Sequence, residues 1–144
     1  MAVIPEFGTP AGIPGVVRRR AAYALIRDDT GRFLAVRADS GLFLPGGGCK
    51  PGEPPELALT REIREEIGYE ASALRHRATA VQHFNADGVS YCMTADFYTV
   101  SLGDRSAEEA EHDMAWLDPN EGGDRWYHAC HAWAVRMESG RDDI

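Results

Sequence analysis

The sequence predicts an α/β fold in which a mixed β-sheet lies between helices. Three observations lead there. Segments with strand patterning flank a segment with helix patterning, so the elements run strands, helix, strands, helix, an order that packs as layers with the sheet in the middle. Residues 54–68 are bracketed as a helix by Pro54-Pro55, suited to the first turn, and Gly68, suited to the residue just past the end. A length of 144 residues, 44% of them apolar, fits one domain with enough material for a core.

The elements follow in order. Residues 1–17 hold Pro5, Pro10, Pro14 and several glycines without periodicity, and read as an extended N-terminal arm before a domain over 18–140. From Val17 to Arg27 the chain alternates. Arg18, Arg20, Ala22, Ala24 and Ile26 share one face, and Arg19, Ala21, Tyr23 and Leu25 the other. Asp28-Asp29-Thr30-Gly31 is a turn, and Arg32–Arg37 the return strand of a hairpin. Leu42-Phe43-Leu44 is a short strand that delivers the chain into a glycine turn, Gly46-Gly47-Gly48, where backbone can approach a ligand. After the helix, Ala71–Phe84 and Val89–Leu102 are long strands joined at Asn85-Ala86-Asp87-Gly88. Gly103–Asp113 is an acidic loop, Ala115–Leu117 a short strand, and Asp124–Glu138 a final helix with Trp126 and Trp133 as core residues.

The helix over 54–68 carries the chemistry. Leu59, Ile63 and Ile67 recur every four residues and form an apolar stripe. At about 100° per residue, Glu62, Glu65 and Glu66 share a face beside that stripe rather than opposite it. Like charges at this spacing repel unless a cation sits on them, and carboxylate clusters suit hard divalent ions such as Mg²⁺ or Mn²⁺. The alternative is a solvated acidic face with Arg61–Glu65 as an ordinary i,i+4 pair.

Spacing separates the two readings. Gly47, Glu53, Arg61, Glu62, Ile63, Glu65, Glu66, Gly68 and Tyr69 stand at the positions of G-x5-E-x7-R-E-U-x-E-E-x-G-U, where U is a bulky apolar residue. The stretch resembles the Nudix box; Tyr69 departs only in being aromatic. Seven fixed residues at roughly one in fifteen each give a chance match on the order of 10⁻⁸ per starting point. The resemblance implies a Nudix-type α/β/α sandwich with the box helix against the sheet. It implies a hydrolase that cleaves a pyrophosphate linkage in a nucleoside diphosphate derivative with Mg²⁺, or Mn²⁺ in its place.

Residue by residue, the resemblance makes Glu65, Glu66 and the Gly46 carbonyl metal ligands. Glu62 becomes a ligand or the general base. Arg61 pairs with the box carboxylates and holds them, and Glu53 supports the glycine loop or reaches a metal through water. A further carboxylate from a distant loop is expected, with Glu111 favoured over Glu108 and Glu109 as ligand or base. Gly47 and Glu53 are placed at the substrate, and Lys50 and Arg37, with Arg18 and Arg20, are candidates for phosphate contacts. Among the histidines, packing or surface roles are favoured, with His83 and Phe84 as candidates to line the cleft.

Charge and composition narrow the partners. A net charge of −8 argues against nucleic acid or an anionic membrane as a general electrostatic partner. No apolar run approaches the length of a membrane span, and the prolines of the first 17 residues do not form a signal peptide. Cys49, Cys92 and Cys130 are odd in number and lack metal-ligand spacing, which fits free thiols in the cytoplasm. A small-molecule nucleotide is the expected partner, with a homodimer through the arm as a further expectation. Val81–Asp87 carries neither the proline that resembles ADP-ribose hydrolases nor the tyrosine that resembles dinucleoside polyphosphate hydrolases. That favours a nucleoside triphosphate, MutT-like substrate. ADP-ribose and nucleotide-sugar pyrophosphatases stay open, as does a module that senses a nucleotide without cleaving it.

Overall fold

The computed structural model describes residues 3–141; Met1 and Ala2 of the arm lie outside the described residues. Among the described residues eight strands are arranged in two sheets. β1 (Glu6–Phe7), β2 (Val17–Leu25), β5 (Gly46–Gly48), β6 (Tyr69–Ala86) and β7 (Val89–Arg105) form a five-stranded sheet in the order β1-β6-β7-β2-β5. β3 (Phe33–Ala38), β4 (Gly41–Phe43) and β8 (Asp113–Leu117) form a three-stranded sheet in the order β4-β3-β8. The larger sheet is mixed: β2 runs parallel to β7, β1 parallel to β6, and the remaining pairs are antiparallel. Helix α1 (Pro55–Ile67) lies on one face and α2 (Ala129–Ser139) on the other. This is the α/β/α sandwich that the sequence predicts.

The alternation in β2 explains both cores. Ala22, Ala24 and Ile26 pack with Leu59, Ile63 and Ile67 of α1, while Ala21, Tyr23 and Leu25 pack with Cys130, Ala134 and Val135 of α2. Leu59 and Ile63 are fully buried, so the stripe read from the sequence is the face that seats α1. Gly68 ends the helix at φ 74°, and its N–H returns to the Arg64 carbonyl. The β6–β7 hairpin turns on Asp87 (φ 50°) and Gly88 (φ 78°), the positive pair that a type I′ turn requires.

Three local expectations differ from the fold. β3 does not return along β2. Only Arg27 and Phe33 bridge, after which β3 departs to pair with β4 and β8. The glycine triplet is a strand rather than a turn, antiparallel to β2 with Gly46 opposite Tyr23 and Gly48 opposite Ala21. The last helix begins at Ala129, not Asp124, because Trp126 is bridged to Leu42 and the Tyr127 N–H donates to the Leu42 carbonyl at 2.9 Å. Those bonds hold Trp126–His128 extended. No helix among the described residues is long and apolar enough to cross a membrane.

Candidate active site

The site is built where β5 meets α1. The ladder bonds of β5 to β2 run through Pro45 and Cys49 (Ala24 N–H to Pro45 O, 2.8 Å; Cys49 N–H to Arg20 O, 2.9 Å). By antiparallel alternation, the polar groups of Gly46 face away from β2. Its N–H accordingly donates to Glu66 Oε1 at 2.7 Å. Each glycine here makes room for something. A Cβ on Gly46 would overlap the β2 backbone, one on Gly47 would lie 2.9 Å from the Glu62 carboxyl, and one on Gly48 would overlap the Arg19 guanidinium.

Arg61 ties the cluster together. Its Nε and Nη2 donate to Glu53 at 3.0 and 2.9 Å as a bidentate fork, and Nη2 also reaches the Gly48 carbonyl at 3.2 Å. Its Nη1 donates to Glu62 at 2.9 Å and to Glu65 at 3.4 Å. The Lys50 backbone N–H donates to Glu53 as well, at 2.9 Å. These bonds hold the Glu53 carboxyl down at about 2. One guanidinium thus fixes the loop before α1 to two carboxylates on α1.

Glu66 is different. Burial pushes its carboxyl up to about 8, against the Gly46 hydrogen bond, with Glu62, Glu111 and Glu65 adding repulsion. Burial raises Glu62 too, partly opposed by Arg61. Glu111 reaches this neighbourhood because its N–H donates to the carbonyls of Glu66 (3.1 Å) and Glu65 (3.3 Å). Those carbonyls are orphans of the helix end, and the acidic loop caps them. Its carboxylate is exposed. Among the described residues no three acidic, histidine or cysteine side chains already converge at ligand spacing. The donors nonetheless fit a hard cation: buried or half-buried carboxylates carrying more negative charge than Arg61 balances, beside an outward-facing backbone carbonyl.

A pocket of about 380 Å³ opens beside this cluster, within the range that holds small ligands. Its lining includes Gly46–Gly48, Glu66, His112, Arg19, Tyr23 and the aromatic group Phe43, Phe84, Tyr127 and His128. Phe43 stacks on Tyr127 with centroids 5.0 Å apart, and His128 packs edge-on to Phe84 at 4.6 Å. His128 is buried, and burial followed by the Arg19 charge lowers it to about 4, so it is neutral near pH 7.

The sequence-predicted residues divide accordingly. Gly46, Gly47, Glu53, Arg61, Glu62, Glu65, Glu66 and Glu111 come together. Lys50 lies outside the pocket, in an adjoining cleft with Arg18 and Arg20, and Arg19 borders both. Arg37 lies outside the pocket, in a shallow groove with Asp39 and Asp124. Phe84 lines the pocket, but His83 is on the opposite face, bonded to Glu6 at 2.9 Å. Arg19, Phe43, Tyr127 and His128 are pocket residues that sequence reasoning missed. The parity of β2, which sets Arg19 beside Tyr23, was the available signal for the first of them.

Comparison with known proteins follows the same lines. The NUDIX domain family matches residues 17–135. The nucleoside triphosphatase NudI of Enterobacter sp. strain 638 is 42% identical over 59 residues, which are 36% of this chain and 42% of that protein. The same enzyme of Escherichia coli O1:K1 is 46% identical over 57 residues, 35% of this chain and 40% of that one. The chain is thus matched over only about two fifths of the length of these curated relatives. Among solved structures, a MutT NUDIX hydrolase from Burkholderia pseudomallei superposes with a TM-score of 0.65 at 25% identity, covering 83% of this chain and 96% of that one. A C. elegans Ap4A hydrolase binary complex gives 0.64 at 22% identity over 84% and 95%, a likeness of fold.

Proposed function

The chain belongs to the NUDIX family, and from that premise we propose that it hydrolyses a phosphoric anhydride linkage in a nucleoside diphosphate derivative, with nucleoside triphosphates the favoured substrates. One observation carries the reading. Glu66 belongs both to the carboxylate cluster and to the wall of the aromatic pocket. A nucleoside stacked among Phe43, Phe84 and Tyr127 would lay its phosphate chain along Gly46–Gly48 toward the carboxylates. The preference for triphosphates draws on the nucleoside triphosphatases matched over part of the chain. The reading takes residues 18–140 as the catalytic domain of a cytoplasmic enzyme that acts on free nucleotides, with the arm as the region for any homodimer contact.

Glu62, Glu65, Glu66 and the Gly46 carbonyl would hold Mg²⁺ or Mn²⁺, which supplies charge neutralisation of the phosphates and a more acidic bound water. The chain's own residues do the rest. Arg61 keeps Glu62 and Glu65 aimed while its grip on Glu53 fixes the glycine strand. Gly46 N–H orients the Glu66 carboxylate. Water attacks one phosphorus, the bridging P–O bond breaks, and the water's proton passes to a carboxylate. Glu62 is engaged by Arg61, so the exposed Glu111 is the freer acceptor for that proton.

The test is a phosphate-release screen with Mg²⁺ or Mn²⁺ over nucleoside triphosphates, ADP-ribose, nucleotide sugars and dinucleoside polyphosphates, with and without EDTA. Triphosphate cleavage that EDTA abolishes is the expected result. Cleavage confined to ADP-ribose or nucleotide sugars would replace the substrate assignment. Nucleotide binding without turnover across the panel would make the chain a sensor. In the same assay Glu111→Gln is expected to lower kcat by about 10²-fold or more.

A further inference from the structure

We propose that Arg19 anchors the substrate's phosphate chain, taking the phosphate nearest the nucleoside. This rests on the pocket holding a nucleoside, and it adds a residue that lies outside the box. Arg19 projects from β2 on the face of Ala21 and Tyr23 and lines the pocket with Gly46–Gly48. It is exposed, and among the described residues it makes no ion pair and no side-chain hydrogen bond. Of the nearby arginines, Arg20 is paired with Asp96 and Arg61 with Glu53, while Arg18 and Lys50 line the adjoining cleft and not the pocket. In a chain of net charge −8, an uncommitted guanidinium inside the pocket is the group most ready for an anion.

Its position is held by packing. The guanidinium lies against Gly48, where any Cβ would overlap it. It also sits over the Tyr91 ring, 5.4 Å from the centroid. Tyr91 in turn stacks on Phe84 of the pocket wall, with centroids 4.9 Å apart. The third glycine, which the box does not specify, thus has a function: it leaves the space that Arg19 occupies. Arg19 stands at the Gly48 end of β5 and Glu66 at the Gly46 end. The Arg19 charge is also felt by His128 and Tyr23 on the aromatic side. A phosphate between the aromatic group and the carboxylates therefore meets Arg19 first, and a planar fork can bind it bidentately.

The test is metal-free titration, in EDTA, of adenosine, AMP and a non-hydrolysable ATP analogue, with guanosine and GMP alongside. The proteins are the wild type, Arg19→Gln, Arg19→Lys and Gly48→Ala. Arg19→Gln is expected to weaken AMP and GMP about ten- to hundred-fold, the worth of a charged hydrogen-bonding contact, and to leave the nucleosides unchanged. Arg19→Lys should fall between, and Gly48→Ala should follow Arg19→Gln. In turnover, KM should rise more than kcat falls. Equal affinity of wild type and Arg19→Gln for the monophosphates overturns the assignment, as does a wild type that binds neither monophosphate. The two readings fail separately. Monophosphate binding that needs Arg19 in a protein that hydrolyses nothing removes the hydrolase reading alone. Hydrolysis with an unchanged KM in Arg19→Gln removes this one alone.

Discussion

A buried carboxylate with a single hydrogen-bond donor is costly unless another charge shares the site. Glu66, half-buried beside β5, is close to that position: among the described residues the Gly46 N–H at 2.7 Å is its one hydrogen bond, and burial raises it to about 8. Glu66→Gln separates charge from shape, because the amide oxygen can still accept from Gly46. Removing a metal-holding carboxylate costs several kcal/mol of charge stabilisation, which is about 10³-fold in kcat. The melting temperature of the metal-free variant should equal or exceed that of the wild type, since the burial cost of the charge is gone. A kcat near wild type at the same Mg²⁺ concentration would falsify the ligand role. The seven fixed positions of the box make this cluster legible in the sequence, because metal-ligand chemistry and a 3.6-residue period restrict both residue type and spacing. The pocket wall is not legible in that way. Phe43, Phe84 and the Tyr127-His128 pair come from three separate parts of the chain, and of these only Phe84 is marked by the sequence as a cleft residue.

At the scale of the element, α1 and β5 show what local pattern carries and what it omits. The α1 boundaries and buried stripe follow from Pro54, Pro55, Gly68 and the four-residue recurrence. β5 does not, since three glycines have no strand propensity of their own and their pairing is imposed by β2. In the same way the bridge of Trp126 to Leu42, made through the Tyr127 N–H bond to the Leu42 carbonyl, cuts short a helical pattern that local spacing extends to Asp124. The strand geometry predicts a split between neighbouring glycines. Gly46 has φ 140° and faces the β2 backbone, so Gly46→Ala should destabilise the fold, by about 1–3 kcal/mol as for other strained backbone positions. Gly47 faces the Glu62 carboxyl, so Gly47→Ala should displace that side chain and lower kcat with a smaller loss of stability. Urea denaturation beside turnover measures both. If the two variants lose stability and activity in the same proportion, β5 acts only as a strand.

For the whole molecule, the layers bury titratable groups whose effects oppose one another as pH falls. His131 of α2 is fully buried on the helix's sheet side, with Nδ1 accepting from the Leu44 N–H at 3.0 Å; burial, followed by His128, holds it neutral well below the ordinary value. His128 is lowered to about 4 by burial and by Arg19. Both are protonated in the unfolded chain below about pH 6.5 but not in the native protein, so their stability is complete above 6.5 and is lost as pH falls. Glu66 has the opposite sign. Its native value near 8 exceeds the unfolded one, so protonation relieves its burial cost as pH falls from 8 toward 4.5. Between pH 6.5 and 5 the two histidines act against Glu66 and the smaller rise of Glu62, and each group contributes at most about 1.4 kcal/mol per pH unit. The metal-free protein should therefore lose unfolding free energy as pH falls over that window, by at most about 1.4 kcal/mol per unit, measured by urea denaturation. His128→Phe leaves one histidine against Glu66 and should flatten the slope. Glu66→Gln should steepen it, by up to about 1.4 kcal/mol per unit. A wild-type curve that is flat from 6.5 to 5, with both variants unchanged in slope, would mean that these three groups exchange protons in the native protein as freely as in the unfolded chain.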